Sequence, residues 1–410
     1  MSVPARDRVA PAALSVLVAA TSVAPAVCGQ TPDRDGGARA VIPTFSYTGE
    51  LVQDAVGGAR RGTAFAGAGA VQVTLLLGRV FGWQGARLFV FALGTHGGAP
   101  SELVGDVQGV SNLEAPAAVR LEEAWLQQNL LDNRLSWLVG RYDLNTEFYR
   151  LQSGALFLNS SFGIGPEFSH SGAAGPSIFP NTAFGTRVEY KPSPNIVWRA
   201  AVLDGVPVDR AGEGIRLFAP GDGALLVGEV ALLERPDTGG APRHRRFAIG
   251  RGLLRSYAAK VALGAWYYTA RFSDLSDTTQ HRGSGGAYLI GDLSVRSVTA
   301  FVQLGLGDGR VNQIGGYVGG GFTFTVPIPS RAQDMVGLAV ASTSNGSHYE
   351  RSQMAAGIPA AGETTLELTY LAPIGSWLTV QPDVQYVIHP GGTRVLRNAV
   401  APGLRIGLAH

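Results

Sequence analysis

Hydrophobic and polar positions alternate along residues 41–410 in short segments that are separated by turns rich in Gly, Pro, Asn and Asp. Successive side chains of a β-strand point to opposite faces, so a period of two predicts strands. In the clearest segment, residues 184–191, one face is apolar and the other carries charges, with Arg187, Glu189 and Lys191 on the polar side. The pattern gives no convincing capped amphipathic helix. The chain is therefore predicted to be all-β.

Sixteen such segments can be counted along the chain. Their expected starts are Phe45, Phe65, Ala86, Val119, Arg134, Thr182, Asn195, Gly223, Tyr257, Gly285, Arg296, Gly315, Asp334, Glu363, Ser376 and Pro402. Most are long enough for the ~9–11 residues with which a tilted strand crosses a bilayer, and an even number is typical of bacterial barrels. We predict a transmembrane antiparallel β-barrel of about 16 strands, in which residues 97–114 and 143–181 form long extracellular or inward-folded loops.

A sheet can cross lipid only as a closed barrel, because every backbone polar group must be paired within the protein. The interior of a barrel of this size is too wide for side chains to fill and is expected to be polar. The pattern places on the inward face, as predicted pore-lining and solute-binding residues, Arg187, Glu189, Arg199, Glu363, Glu367, Gln381, Asp383 and Gln385. Aromatic girdles at the lipid interfaces are predicted from Tyr190, Trp198, Tyr267, Tyr370, Trp377 and Tyr386. Pro382 is unfavourable within its predicted strand, since proline has no backbone N–H to donate to a neighbouring strand.

Composition supports this interpretation. Charged residues make up 16% of the chain and glycine contributes 56 residues, whereas globular proteins average roughly 25% charged residues and 7% glycine. Beyond the first thirty residues no apolar run approaches the ~18 residues of a membrane-spanning helix, which excludes a helical membrane protein.

The first 29 residues have the basic, apolar and small-residue parts of a secretory signal. The expected organisation is a signal peptide at residues 1–29, a short segment at residues 30–43 and a barrel domain at residues 44–410. The single cysteine, Cys28, lies in the signal; a lipid-modified Cys28 is the alternative. An exported chain without disulfides fits the envelope of a Gram-negative bacterium.

The net charge of +2 indicates no nucleic-acid partner, and no phosphate loop, dinucleotide fingerprint, zinc motif or nucleophile elbow is found. We expect no enzyme, cofactor or metal. Charges of both signs on the inward face suit a neutral polyhydroxyl solute, because arginine donates and carboxylates accept hydrogen bonds. Three alternatives stay open: a general diffusion pore, a secreted soluble carbohydrate-binding β-protein, and a barrel enzyme using Ser169 and His170.

An ordered set of residues adds a resemblance. It includes Gly140-Arg141-Tyr142-Asp143, Glu147-Phe148, Phe179-Pro180, Lys260, Glu363, Glu367, Gln381-Pro382-Asp383, Gln385-Tyr386 and Gly403-Leu404-Arg405. In this set the chain resembles the carbohydrate-selective porins of the OprB type, from about Thr44 to the end. The resemblance implies facilitated diffusion of sugars such as glucose into the periplasm, with Arg and Glu residues at the constriction. It adds Arg141 and Asp143 to the expected pore-lining residues.

The implied partners are outer-membrane lipid, small neutral sugars and the barrel assembly machinery. Barrels of this kind usually end on an aromatic residue that the machinery reads, whereas this chain ends on His410; efficient assembly is the property placed in doubt. Porins are often trimers, and the residues leave monomer and homotrimer open.

Overall fold

Seventeen antiparallel strands dominate the computed structural model, which describes residues 40–207, 217–234, 257–326, 328–331 and 333–409. The strands are β1 (Val41–Asp54), β2 (Val56–Gly58), β3 (Gly62–Leu76), β4 (Ala86–Gly97), β5 (Ala118–Leu130), β6 (Leu135–Tyr142), β7 (Ala183–Ser193), β8 (Ile196–Asp204), β9 (Ala224–Glu234), β10 (Ala259–Ser273), β11 (Gln280–Val295), β12 (Val298–Gly307), β13 (Ile314–Thr325), β14 (Met335–Asn345), β15 (Thr364–Ile374), β16 (Leu378–Ile388) and β17 (Arg397–Ala409).

The sheet closes on itself through β1, which pairs with β3 on one side and with the last strand, β17, on the other. Glu50, for example, lies opposite Ala66 and opposite Arg405. The ring contains sixteen strands, and the three-residue β2 adds a short pairing to β17. The predicted barrel and strand number are confirmed, and each barrel strand begins within five residues of its expected start. The proposed signal peptide lies outside the described residues.

The two faces of the barrel differ as the alternation predicts. Large apolar side chains are exposed on the outside, including Leu226, Val230, Leu338, Leu366 and Leu368. The inward neighbours of such positions are polar and buried, as for Glu229, Thr365 and Glu367. Five of the six predicted girdle aromatics are exposed: Tyr190, Trp198, Tyr267, Trp377 and Tyr386. An apolar outside and a polar inside are the faces that a pore in lipid requires.

Pro382 lies in the middle of β16, on its outer face. On one side it pairs with Leu404 of β17. On the other side the ladder to β15 runs to the pair Thr369–Asp383 and resumes at the pair Ala372–Val380. Proline therefore occupies an interruption of that ladder, where its missing N–H removes no hydrogen bond.

Most described connections at the two ends of the barrel differ in length. At one end they include residues 98–117, 143–182 and 346–363, and at the other end residues 131–134, 194–195, 296–297 and 375–377; most of the connection between β9 and β10 lies outside the described residues. Outer-membrane barrels have short periplasmic turns and long extracellular loops. The long-loop end is therefore assigned to the outside of the cell.

Short helices occur in the connections: α1 (Leu77–Val80), α2 (Pro100–Val104), α3 (Pro166–Ser169) and α4 (Ser347–Ala355). The longest of these, α4, buries none of its side chains and has no side-chain cap. An unpatterned, uncapped helix gives no periodic signal, which is why the sequence did not reveal it. No helix in the described ranges is long and apolar enough to cross a membrane.

The outer face provides a first test at Leu368, which is 48% exposed and lies between Leu338 and Val384 of the neighbouring strands. Leu368→Arg should destabilise the inserted barrel by about 2–4 kcal/mol, because a charge would face the middle of the lipid. The measurement is the folded fraction in liposomes during urea titration. Leu368→Val is the control, and equal stability of the two variants would contradict the assigned lipid face.

Candidate functional site

The lumen is crossed by residues 143–182, here called the inner loop. Its aromatic side chains Phe148, Tyr149, Phe157, Phe162 and Phe168 are all at most 1% exposed. They pack on the inner wall: Phe168 stacks on Trp266 with ring centroids 4.2 Å apart, and Phe162 meets Phe301 edge-on at 5.9 Å. Apolar packing therefore fixes this loop within the barrel and narrows the opening.

Carboxylates of the wall bind the backbone of the inner loop. Glu367 accepts hydrogen bonds from Leu158 N at 2.6 Å and Asn159 N at 2.9 Å. On another part of the wall, Asp292 accepts from Gln152 N at 2.9 Å and from Ser153 Oγ at 2.5 Å. A buried irregular segment has backbone donors with no ladder partner, and charged acceptors make strong bonds to them. These carboxylates position the loop.

A second inward segment, residues 98–117, is here called the mouth loop. Glu363 accepts from Val107 N and Gln108 N, both at 2.9 Å, and from Gly391 N at 2.7 Å. Gln385 Nε2 donates to Val110 O at 2.7 Å. Glu363 thus ties the mouth loop to the turn before β17, at the end with the long loops.

Basic and acidic side chains form a ladder across β7, β8, β9 and β10, here called the charge ladder. Arg187 makes a bidentate pair with Glu147 of the inner loop, at 2.6 and 2.7 Å. Arg199 bonds Glu189 at 2.7 Å and Glu229 at 3.2 Å. Lys191 also pairs with Glu189, at 2.6 Å, and Lys260 lies 3.8 Å from Glu229. The opposite charges largely compensate each other.

Nine of the ten predicted pore-lining residues lie at inward positions of the wall or at the start of the inner loop. The prediction for Arg141 is wrong, because it shares the outer face of β6 with Trp137 and pairs with Ala124 and Phe184 on the outer faces of β5 and β7. Glu363, Glu367, Gln381, Gln385 and Arg187 contact the two inward loops, Gln381 through a 2.7 Å bond to Leu156 O. Asp143 accepts from Asn145 N at 2.7 Å at the start of the inner loop, and Arg141 Nε donates to Thr182 Oγ1 at 2.8 Å. Asp383 accepts from Gln385, and Glu189 and Arg199 belong to the charge ladder. Their binding of solute stays a prediction.

Sequence reasoning missed several partners because they are distant along the chain. Glu147 completes the pair with Arg187, Glu229 and Lys260 extend the charge ladder, and Glu50 binds Arg405 through Nε at 2.6 Å. Glu50 and Arg405 lie opposite each other only because the barrel closes. Alternation places each on the inward face, but no local signal pairs them.

A cavity of about 480 Å³ opens at the long-loop end of the barrel. The mouth loop contributes Ser101, Asp106, Gln108 and Glu114 to its lining, and the inner loop contributes Ser160 and His170. Its volume lies within the range of ~300–1,000 Å³ that is typical of small-molecule sites. Among the described residues, no group of three or more His, Cys, Asp or Glu side chains could hold a metal ion.

Near this cavity, Asp274 ties together three connections of the outer end. It accepts from His281 Nε2 and His348 Nδ1, each at 2.8 Å, and from Ser276 N at 2.7 Å. His348 N also bonds Gly309 O. The hydrogen bonds from His348, Ser276 and His281 hold the pKa of Asp274 well below its usual range. A depressed pKa gives stability that is present above about pH 3.9 and is lost only as pH falls through the lower folded value.

The model of the carbohydrate-selective porin, OprB family, matches residues 60–409. The chain belongs to this family. Porin B of Pseudomonas aeruginosa is 24% identical over 383 residues, covering 82% of this chain and 80% of that protein.

Two solved structures share the fold. The high-pH structure of Pseudomonas putida OprB superposes with a TM-score of 0.76 at 20% identity, covering 90% of this chain and 94% of that one. The outer membrane channel DcaP of Acinetobacter baumannii gives a TM-score of 0.55 at 10% identity over 90% and 97% of the two chains. This OprB-family chain is an outer-membrane carbohydrate porin of a Gram-negative bacterium.

Glu367 provides a test of the inner-loop anchors. Glu367→Gln should free the inner loop, because the amide NH₂ would face one of the two backbone N–H donors and leave it unpaired at a cost of about 1–3 kcal/mol. We expect larger open-channel current fluctuations and faster hydrogen exchange at residues 156–160. Thr364→Ala on the outer face of β15 is the control, and similar behaviour of both variants would contradict the anchoring role.

Asp274 provides a separate test at the outer end. Asp274→Asn should loosen the connections around His281 and His348, because the amide keeps one acceptor oxygen in place of two. Trypsin added outside should then cleave faster after Arg310, whose side chain is 53% exposed, and after Arg351. Asp277→Asn, a change at an exposed carboxylate of the same turn, should leave the cleavage rate as it is; equal rates in all three proteins would remove the proposed tie.

Proposed function

We propose that this porin admits neutral monosaccharides such as glucose by passive diffusion, and that the charge ladder supplies their hydrogen-bonding contacts. The observation that carries the proposal is the mutual neutralisation of opposite charges in the charge ladder. Arg187, Arg199, Lys260 and Arg405 each have a carboxylate partner within 3.8 Å. A compensated ladder exerts little net attraction on ions, and it still presents donors and acceptors to hydroxyl groups.

Within the ladder, the residues proposed to touch solute are those that keep some exposure. The side chain of Arg199 is 17% exposed, that of Lys191 is 15% and that of Glu147 is 14%. Arg187, at 1%, is sealed between Glu147 and Ser136. We assign Arg199, Lys191 and Glu147 to solute contact. Glu189, at 4%, is assigned to orienting Arg199 and Lys191, and Arg187, Glu363, Glu367, Gln381 and Gln385 to positioning of the inward loops. Asp143 and Asp383 are proposed to shape the same passage, and Arg141 is proposed to hold the end of the inner loop through Thr182.

Transport is proposed to involve no catalysed reaction. Ser169 and His170 are adjacent at the end of α3, where His170 N bonds Pro166 O and Ser169 N bonds Gly165 O. A hydrolytic pair would need the hydroxyl and the imidazole to bond each other. Cleavage of residues 1–29, assembly through the barrel assembly machinery and the number of barrels per assembly remain predictions.

Solute entry into liposomes that contain the purified, refolded porin tests the proposal. The series is glucose, a disaccharide, an amino acid and a sugar phosphate, and glucose should enter faster than its size alone predicts. Arg199→Ala should reduce that advantage, because it removes a guanidinium donor from the ladder. Entry ranked only by size in both proteins would indicate a general diffusion pore.

A further inference from the structure

The cavity at the outer mouth differs from the lumen in its charge. Of the twelve described residues that line it, none is Lys or Arg, whereas Asp106 and Glu114 are acidic. The surrounding loops withdraw water from His170, which lowers its pKa and favours the neutral ring. The lining therefore has no built-in cation to balance its carboxylates, in contrast to the charge ladder.

Asp106 has the least satisfied carboxylate of the mouth loop. Its two oxygens are shielded from solvent and receive no hydrogen bond of ordinary geometry from a described residue; polar contacts with Ser101 and the Gly109 backbone offset the effect of burial on its pKa only in part. Burial, together with the carboxylates of Glu363 and Glu114, raises the pKa of Asp106 well above its usual range. A buried acid beside other acids is costly to ionise, and an entering cation would relieve that cost.

Gln108 supplies an independent indication at the same cavity. The residue is 1% exposed, and its Nε2 faces three acceptors, on Ala341, Glu363 and Thr365, at 3.4–3.5 Å. This arrangement leaves Oε1 as the unpaired end of the amide among the described residues. A buried carbonyl without a donor is uncommon and is expected to be met by a bound molecule or water.

We propose that this mouth cavity is a binding site for the protonated amine of an amino sugar, so that the porin favours cationic over neutral and acidic sugars of equal size. An ammonium group has three donors and no acceptor, which matches Asp106, Glu114 and Gln108 Oε1. The remaining lining, with Ser101, Ser160 and Gln313, can bond hydroxyl groups. A volume of about 480 Å³ fits a sugar-sized solute better than a bare ion.

The site lies where it would act before the constriction. Its walls come from the mouth loop, the inner loop and the connections that carry Gln313, Tyr349 and Gly391, all at the outer end. A solute entering from outside would meet this acidic cavity first and the compensated charge ladder later. The inference rests on the proposed sugar transport and adds a preference among sugars.

The test measures concentration-dependent block of single-channel current by glucosamine, N-acetylglucosamine, glucose and glucuronate at pH 7. Glucosamine should block at a concentration up to about fivefold lower than N-acetylglucosamine, the size expected of one solvent-screened ion pair, and glucuronate should block least. Asp106→Asn should abolish the glucosamine advantage and leave glucose block nearly unchanged. Asp277→Asn, at an exposed carboxylate outside the cavity, should keep it.

Glu114→Gln serves as a second variant if Asp106→Asn does not fold, and it should reduce the advantage in the same direction. Equal block by glucosamine and N-acetylglucosamine in the native porin would overturn the proposal, as would an advantage that survives both cavity variants. Block by Ca²⁺ without any glucosamine advantage would also overturn it. If glucose itself fails to enter liposomes, the proposed sugar transport fails instead, so the two results are distinguishable.

Discussion

Pairing of backbone polar groups is the constraint on which the rest of this porin depends. Lipid offers no partner, so the strands must close, and β1 does so by bonding both β3 and β17. The same requirement continues inside the barrel, where the inner loop and the mouth loop have no ladder. Wall carboxylates take that place: Glu367 and Asp292 accept the N–H groups of the first loop, and Glu363 those of the second. The polar inner face of a porin is therefore also a structural framework for its loops.

Because the polar inner face also holds two loops inside the barrel, a ring of sixteen strands has a narrow interior. Aromatic packing of Phe162 and Phe168 against the wall supplies the apolar contact area that holds the inner loop, and the carboxylate bonds fix its register. Arg187 adds a third type of contact by joining the wall to Glu147. Removing one partner of such a buried pair leaves an uncompensated charge. Substitution of Arg187 or Glu147 alone therefore destabilises the porin, whether or not solute touches them. An inward position alone therefore does not identify a residue that binds solute.

The limits of sequence reasoning follow from the same physics. Alternation is local, and it predicted the barrel, the sixteen strands and the inward direction of Arg187, Glu367 and Gln385. Contacts across the lumen are not local: Glu367 meets Asn159, and Arg405 meets Glu50, at separations of 208 and 355 residues. Only the closed ring and the folded loop bring these groups together. Alternation therefore predicts that the inward residues face water, whereas Glu363 and Glu367 are enclosed by loop backbone. The alternation of polar and apolar residues does not predict the mouth cavity, because its lining residues come from separate irregular segments.

The mouth and the lumen differ in how their charges are balanced. Inside, the basic groups of the charge ladder have acidic partners, and a neutral solute loses little when it exchanges water for such a surface. At the mouth, Asp106 and Glu114 lack a basic partner in the cavity lining, and an entering cation would offset the cost of ionising a buried acid beside other acids. Selection by charge and passage by hydrogen bonding are thereby placed at different depths. A strong site at the narrowest point would slow release, whereas a weak site at the entrance gives preference with only brief block of the current.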